Sequence, residues 1–269
     1  MAEKDKRSNL YLGPDQPGNE AAAANQQAWD RLVFQNNRFT KPASDEDFNN
    51  PLSVVDGCNW LNGDIRGQSV LCLAAGGGRQ GPLYAAAGGQ VTVVDISPAM
   101  LAIDRDVAQQ RNLQLKTVMT TMEDLSMFKD DEFDLVVHPV STCYVADLEP
   151  VYREVARVIR DGGVYISQHK QPVSLQLNQT LEGDKFFLEQ TYYREGPLPT
   201  GVVGSLIREP GTQEFLHRWE QLIGWMCRCG FVIEDLIEPV HAKPNPRPGS
   251  FAHHSSYVAP YVRIKARRR

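Results

Sequence analysis

Apolar positions settle into a regular alternation of two rhythms only between residues 69 and 168. Val70-Leu71-Cys72-Leu73-Ala74 is an unbroken apolar run, the pattern of a strand covered on both faces in a parallel sheet. The turn Gly76-Gly77-Gly78 follows it, and then a helix is expected over 79–87, stopped by Gly88-Gly89. Further strands are expected over 91–94, ending at Asp95, and over 115–119 and 133–138. Between the second and third, Ser97-Pro98 supplies a capping hydroxyl and a first-position proline for a helix. Asp147 can cap another helix, whose Val151, Val155, Val158 and Ile159 share one face. Asp161-Gly162-Gly163 should break that helix before a fifth strand over 164–168. Strand and helix alternating in this way predict an α/β fold, a doubly wound and mostly parallel sheet with helices on both faces.

The flanks follow other patterns. Residues 1–18 read as a flexible tail, and 21–37 as a helix carrying Trp29, Leu32 and Val33 at helical spacing. Residues 38–56 form a polar connector. The expected organisation is therefore an N-terminal tail and cap helix (1–45) and one domain (46–269). Within that domain the cofactor half spans about 69–168 and the acceptor-side elements 169–269. In the latter, 181–207 carries the pairs Phe186-Phe187 and Tyr192-Tyr193 and reads as strands or a lid. Thr212 should open a helix with Phe215, Leu216, Trp219, Leu222, Ile223 and Met226 on one stripe, ended by Cys229-Gly230. Strands over 231–237 and 257–265 would close the sheet as an antiparallel C-terminal pair, with a proline-rich loop over 241–254.

Composition narrows the possibilities. The 269 residues carry 28 Lys and Arg against 33 Asp and Glu, a net charge of −5. That balance argues against nucleic acid as a partner. No apolar run approaches the roughly 18 residues of a membrane span, and Met1–Arg7 has no apolar leader core. Five scattered cysteines fit a reducing compartment, so a cytoplasmic protein is expected. His241 and His253-His254 lack acidic or thiol companions at ligand spacing, so no metal site is expected.

The glycine turn carries the chemistry. A strand that ends in glycines and enters a helix gathers bare backbone N–H groups beside a positive helix end. Asp95, at the end of the next strand, would lie beside it, where a carboxylate can accept from both ribose hydroxyls. The pair points to an adenosine-containing cofactor. Gly76, Gly78 and Gly81 also satisfy G-x-G-x-x-G, so an NAD(P)-dependent oxidoreductase remains open on these residues alone. So does a cofactor-binding protein without turnover. The Tyr-x-x-x-Lys spacing of short-chain reductases occurs only at Tyr261 and Lys265, in an expected strand.

Five ordered blocks go further: 70–78, Val93-Val94-Asp95-Ile96-Ser97-Pro98-Ala99-Met100-Leu101, Met122-Glu123-Asp124-Leu125, Phe133-Asp134-Leu135-Val136-Val137, and 154–163. Together they resemble the class I S-adenosylmethionine-dependent methyltransferases of the ubiquinone/menaquinone methyltransferase-like, small-molecule type, whose fold is Rossmann-like. The resemblance implies S-adenosylmethionine as cofactor and a small organic acceptor. It places Ala74, Ala75, Gly76 and Gly78 around the methionine and ribose, Asp95 on the ribose, and Ile96 and Met100 beside the adenosine. Met122, Glu123 and Asp124 would surround the adenine edge, and His138 and Val140 would form the floor where the methyl is delivered. Three positions depart from the pattern: Cys72 where an acid is usual, Ala74 where the first glycine is, and Thr121 where an aspartate is. Methyl transfer needs a nucleophile positioned in a dry pocket, and a base only where the acceptor must lose a proton. His138, Tyr144 and His169 follow the fourth and fifth strands and are the expected catalytic residues.

Overall fold

The computed structural model describes residues 17–183, 185–202 and 205–269; most of the expected tail over 1–18 lies outside them. Seven strands form one sheet: β1 (Ser69–Leu73), β2 (Gln90–Asp95), β3 (Leu115–Met119), β4 (Phe133–His138), β5 (Ile159–Lys170), β6 (Phe231–Ile237) and β7 (Tyr261–Arg268). Their order is β3-β2-β1-β4-β5-β7-β6. The first five are parallel, and β7 runs antiparallel to both β5 and β6. The order reverses beside β1, so the carboxyl ends of β1 and β4 flank the crevice where open α/β sheets bind ligands.

The apolar runs bury both faces. Leu71 and Leu73 join Val136, Tyr165, Val262 and Ile264 in one core, while Val70 and Cys72 join Val91, Val93, Leu135 and Val137 in the other. Period-two alternation inside an apolar run produces this split. Helices α1 (Pro17–Phe34), α2 (Pro51–Val55), α3 (Gln80–Ala86) and α4 (Pro98–Gln110) precede α5 (Glu149–Val158), α6 (Pro172–Gln176), α7 (Trp219–Leu222), α8 (Gly224–Arg228) and α9 (Phe251–His254). Leu52, Tyr84 and Leu101 of α2, α3 and α4 pack on the second core. Val151 and Val155 of α5, Leu222 of α7 and Met226 of α8 pack on the first. Ser97 caps α4 as expected, its hydroxyl accepting from the Met100 N–H at 3.0 Å.

Several expectations change. The helix from Thr212 does not form: 213–218 has no regular secondary structure, and helix begins only at Trp219. Glu214, Phe215, Leu216 and His217 are all buried there, because the segment crosses the loop after β4, Phe215 N–H donating to the Cys143 carbonyl at 2.7 Å. Helix α5 ends at Val158 rather than at Asp161-Gly162-Gly163. Ile159 already pairs with Phe133, and pairing resumes at Val164 with Leu135, so residues 160–163 bulge from the edge of the pair. Among the described residues, 181–207 hold only the isolated bridge Glu182–Lys185 and the partner of Leu177, Leu188. The loop over 241–254 ends in the short helix α9.

Ala74, where β1 leaves the sheet, has φ 47°. That left-handed region costs a β-carbon about 1–2 kcal/mol, part of which glycine would return as unfolded-state entropy. Ala74→Gly is therefore expected to raise the unfolding free energy by about 0.5–1 kcal/mol. Urea denaturation measures it, and a loss of stability would show that the alanine methyl's packing outweighs the backbone strain.

Candidate active site

A cavity of about 230 Å³ opens at the carboxyl ends of β1, β2 and β4. Of the residues expected from sequence, it brings together Ala74, Ala75, Gly76, Asp95, Ile96, Met100, Met122, Glu123 and Tyr144. Val140 and Ser141 complete the wall after β4, and Trp29 and Asn25 of α1 close the top.

The glycine turn and Asp95 form one unit. Asp95 Oδ2 accepts from the Gly76 N–H and Oδ1 from the Ser97 N–H, both at 2.9 Å. A β-carbon at Gly76 would lie 2.8 Å from Met100 Cβ and 3.0 Å from Asp95 Cγ, so only glycine lets the turn approach the carboxylate. Burial raises the Asp95 pKa to about 6, against the lowering effect of the Ser97, Gly76 and Ile96 backbone N–H groups. Asp104 of α4 supports the turn from beneath. Its Oδ2 accepts from the Gly77 N–H at 2.8 Å, while Oδ1 is buried without a partner. Burial raises its pKa to about 7. Asp104 belongs to no motif, and its one signal in the sequence is a charge sharing the apolar stripe of Met100, Leu101, Val107 and Ala108.

Four expected residues lie elsewhere. Gly78 faces inward: a β-carbon there would meet Ile103, Val107 and Pro42. Asp124 is exposed, and its hydrogen bonds from Ser126 lower its pKa. His138 does not reach the cavity floor. Its ring sits on the first core's side of the sheet, Nδ1 2.8 Å from the Tyr165 hydroxyl, and the residue lines a second cavity instead. His169 is fully buried between Thr142 Oγ1 and Ser167 Oγ, each at 2.8 Å from a ring nitrogen. Burial lowers both histidine pKa values to about 3, so both rings are neutral at pH 7. His169 buttresses the loop after β4 through Thr142, whereas His138 is held by Tyr165 of β5, its Nε2 buried without a partner.

Tyr144 does stand in the wall, and what holds it was invisible in the sequence. Its hydroxyl donates to Glu209 Oε2 at 2.8 Å. Lys170, at the end of β5, donates to the same oxygen at 2.6 Å and to Glu214 Oε2 at 3.0 Å. Arg208 lies 3.4 Å from Glu214. All four charged side chains are buried, with Lys170 1% and Glu214 0% exposed. The Trp29 ring meets Tyr144 edge-on at 5.9 Å. Asn25 ties α1 to both sides of this corner: its amide donates to the Tyr144 and Gln213 carbonyls at 3.1 Å and accepts from the Gln213 N–H at 2.7 Å. Asp30, one turn on, accepts from the Ser97 hydroxyl at 2.6 Å. Among the described residues no three His, Cys, Asp or Glu side chains converge as a metal site.

A doubly wound α/β sheet with a buried acid beside a glycine turn defines a cofactor-binding enzyme of the nucleotide type. The description "Methyltransferase domain" matches residues 71–167. The "uncharacterized methyltransferase YbaJ" of Bacillus subtilis is 34% identical over 239 residues, covering 82% of this chain and 91% of that relative. The chain belongs to this methyltransferase family. The ubiquinone/menaquinone biosynthesis C-methyltransferase UbiE of Idiomarina loihiensis is 33% identical over 127 residues, 45% of this chain and 50% of its own. An S-adenosylmethionine-dependent methyltransferase of Mesorhizobium loti has the same fold, with a TM-score of 0.59 at 18% identity over 80% of this chain and 100% of that one. No helix among the described residues is long and apolar enough to cross a membrane.

Proposed function

We propose that the protein transfers a methyl group from S-adenosylmethionine to a small organic acceptor by in-line displacement, as a cytoplasmic enzyme that does not act on nucleic acid. The observation that carries this reading is Asp95, a buried carboxylate in the cavity wall, locked beside Gly76 with lone pairs left for a diol. When bound, the cofactor supplies an electrophilic methyl on a sulfonium. Asp95 accepts from the ribose hydroxyls, and Ala74, Ala75 and Gly76 leave room along the methionine arm. Ile96, Met100, Met122 and Glu123 enclose the adenosine. Tyr144 and Ser141 orient the acceptor, and Trp29 on α1 excludes water, which supports methyl transfer over hydrolysis. His169 acts from behind, holding through Thr142 the loop that carries Tyr144, and His138 packs behind it on Tyr165. In this reading 1–45 serves as tail and cap, and 46–269 as the catalytic domain.

Titration with S-adenosylhomocysteine and with NAD tests it. The expected result is one site for S-adenosylhomocysteine and none for NAD; the reverse overturns the reading. The affinity should depend on pH through Asp95. Hydroxyl donors favour the ionised carboxylate, so the bound pKa falls below the free value of about 6. Affinity is then level above about pH 7 and drops by up to about tenfold per unit below pH 6. A flat profile down to pH 5 would remove Asp95 from the contact.

A further inference from the structure

A second cavity, about 180 Å³, lies on the α2 and α3 side of the sheet, at the carboxyl ends of β4 and β5. Arg79, Gln80 and Pro139 line both cavities, so the two adjoin. Arg263 of β7 stands in the wall of the second. Along β7, Val262, Ile264 and Ala266 enter the core at 0% exposure, and alternation sends Arg263, Lys265 and Arg267 to the opposite face. Glu234 neutralises two of these three cations, lying 3.3 Å from Lys265 and pairing with Arg267. Arg263 has no such partner: its Nε donates to the neutral Gln168 Oε1 at 2.9 Å and its Nη1 to Cys58 Sγ at 3.6 Å. No carboxylate among the described residues lies within 4.0 Å of it. Asp56, the acid of the same cavity, is already engaged, its two oxygens accepting from the Trp60 and Leu61 N–H groups at 2.7 and 2.9 Å.

A half-buried guanidinium aimed at a cavity without a counter-ion is poorly compensated by the protein alone. Its planar fork matches a carboxylate or phosphate bidentately. We infer that Arg263 binds an anionic group of the methyl acceptor, a carboxylate or phosphate, while the acceptor's nucleophile reaches past Pro139 into the larger cavity. The substrate class is thus a small organic acid or phosphate ester whose reacting atom lies several bonds from the anion. This inference rests on the larger cavity being the cofactor's.

The test uses full-length protein saturated with S-adenosylhomocysteine, titrated calorimetrically with benzoate, phenyl phosphate and the neutral benzamide. Wild-type protein should bind at least one anion about tenfold or more tightly than benzamide. Arg263→Gln should erase that preference and Arg263→Lys keep part of it, with S-adenosylhomocysteine affinity unchanged in both. An unchanged preference in Arg263→Gln, or none in the wild type, overturns the inference. So does a tenfold loss of S-adenosylhomocysteine affinity in Arg263→Gln, which would assign the guanidinium to the cofactor's own carboxylate. Failure of the wild type to bind S-adenosylhomocysteine would instead overturn the cofactor reading and is scored first. If Arg263→Gln does not fold, Arg263→Lys alone decides: an undiminished preference for the anions that bind best as bidentate partners would refute the fork.

Discussion

Lys170→Met is expected to destabilise the protein by about 3–5 kcal/mol, since removing one partner of a buried ion pair strands the other in a medium that solvates it poorly. Here two carboxylates lose their ammonium, leaving Glu209 with the Tyr144 hydroxyl and Glu214 with Arg208, one buried negative charge in excess. Glu209 and Glu214 both accept from the Lys170 ammonium, at 2.6 and 3.0 Å, with side-chain exposures of 8% and 0%. Burial alone would push the Lys170 ammonium down, and the two carboxylates more than offset it, holding it above its ordinary value. Burial raises Glu214, although Lys170 opposes the rise. The sign with pH follows. Without Lys170 the folded-state pKa of Glu214 climbs further above its unfolded value, so the native state binds protons that the unfolded chain releases. The deficit of Lys170→Met should therefore be largest near pH 8 and shrink towards pH 5. Guanidinium denaturation at the two pH values measures both terms. A loss under about 1 kcal/mol with no pH dependence would show that the carboxylates find other partners and that the cluster does not anchor segment 205–218. Adding Glu214→Gln to Lys170→Met should recover part of the loss, because it removes one stranded charge.

That cluster also marks the boundary of what sequence could reveal. Strands β1, β2 and β4 were legible within a residue or so because each is a buried apolar run confined by turn residues. Strands β3 and β6 mix polar and apolar residues at the less buried side of the sheet and were legible from their β-branched and apolar residues between turn signals. Ser97 was legible because a capping hydroxyl followed by proline has a local mechanism. Segment 205–218 has neither property. Its Arg208, Glu209 and Glu214 look like solvated loop charges, and its Phe215, Leu216 and Trp219 fall at helical spacing. Tertiary contacts with Cys143 and Lys170 decide its conformation, and Lys170 is distant in sequence. The placement of the histidine rings was hidden for a related reason. Position at a strand end is readable, but the side of the sheet a ring takes there depends on partners such as Tyr165 and Thr142 that no local pattern announces. The position of Asp95 beside the glycine turn was legible because the fold itself brings the ends of β1 and β2 together.

Asp95→Ala is expected to weaken S-adenosylhomocysteine binding by about 100-fold or more while leaving stability near that of the wild type. Two hydrogen bonds from neutral hydroxyls to a buried carboxylate contribute about 1.5 kcal/mol or more each, and about 3 kcal/mol is two decades in affinity. Stability balances differently. The Asp95 pKa of about 6 in the folded chain exceeds the ordinary 3.8, so stability falls as pH rises between those values, and ionised Asp95 costs about 3 kcal/mol above pH 7. Its removal relieves that cost and leaves the Gly76 and Ser97 N–H groups without an acceptor, a penalty of about 1–3 kcal/mol each. The two effects nearly cancel, and the net change should stay within about 1–2 kcal/mol. Asp95→Asn should bind no better than Asp95→Ala. One amide position must be NH2, and it would face either the Gly76 or the Ser97 N–H, donor against donor at 2.9 Å. Calorimetric titration beside thermal denaturation separates the contributions. Retention of S-adenosylhomocysteine affinity within threefold in Asp95→Ala would make this carboxylate a support of the glycine turn alone. A 100-fold loss in a stably folded variant would make it the group that holds the cofactor.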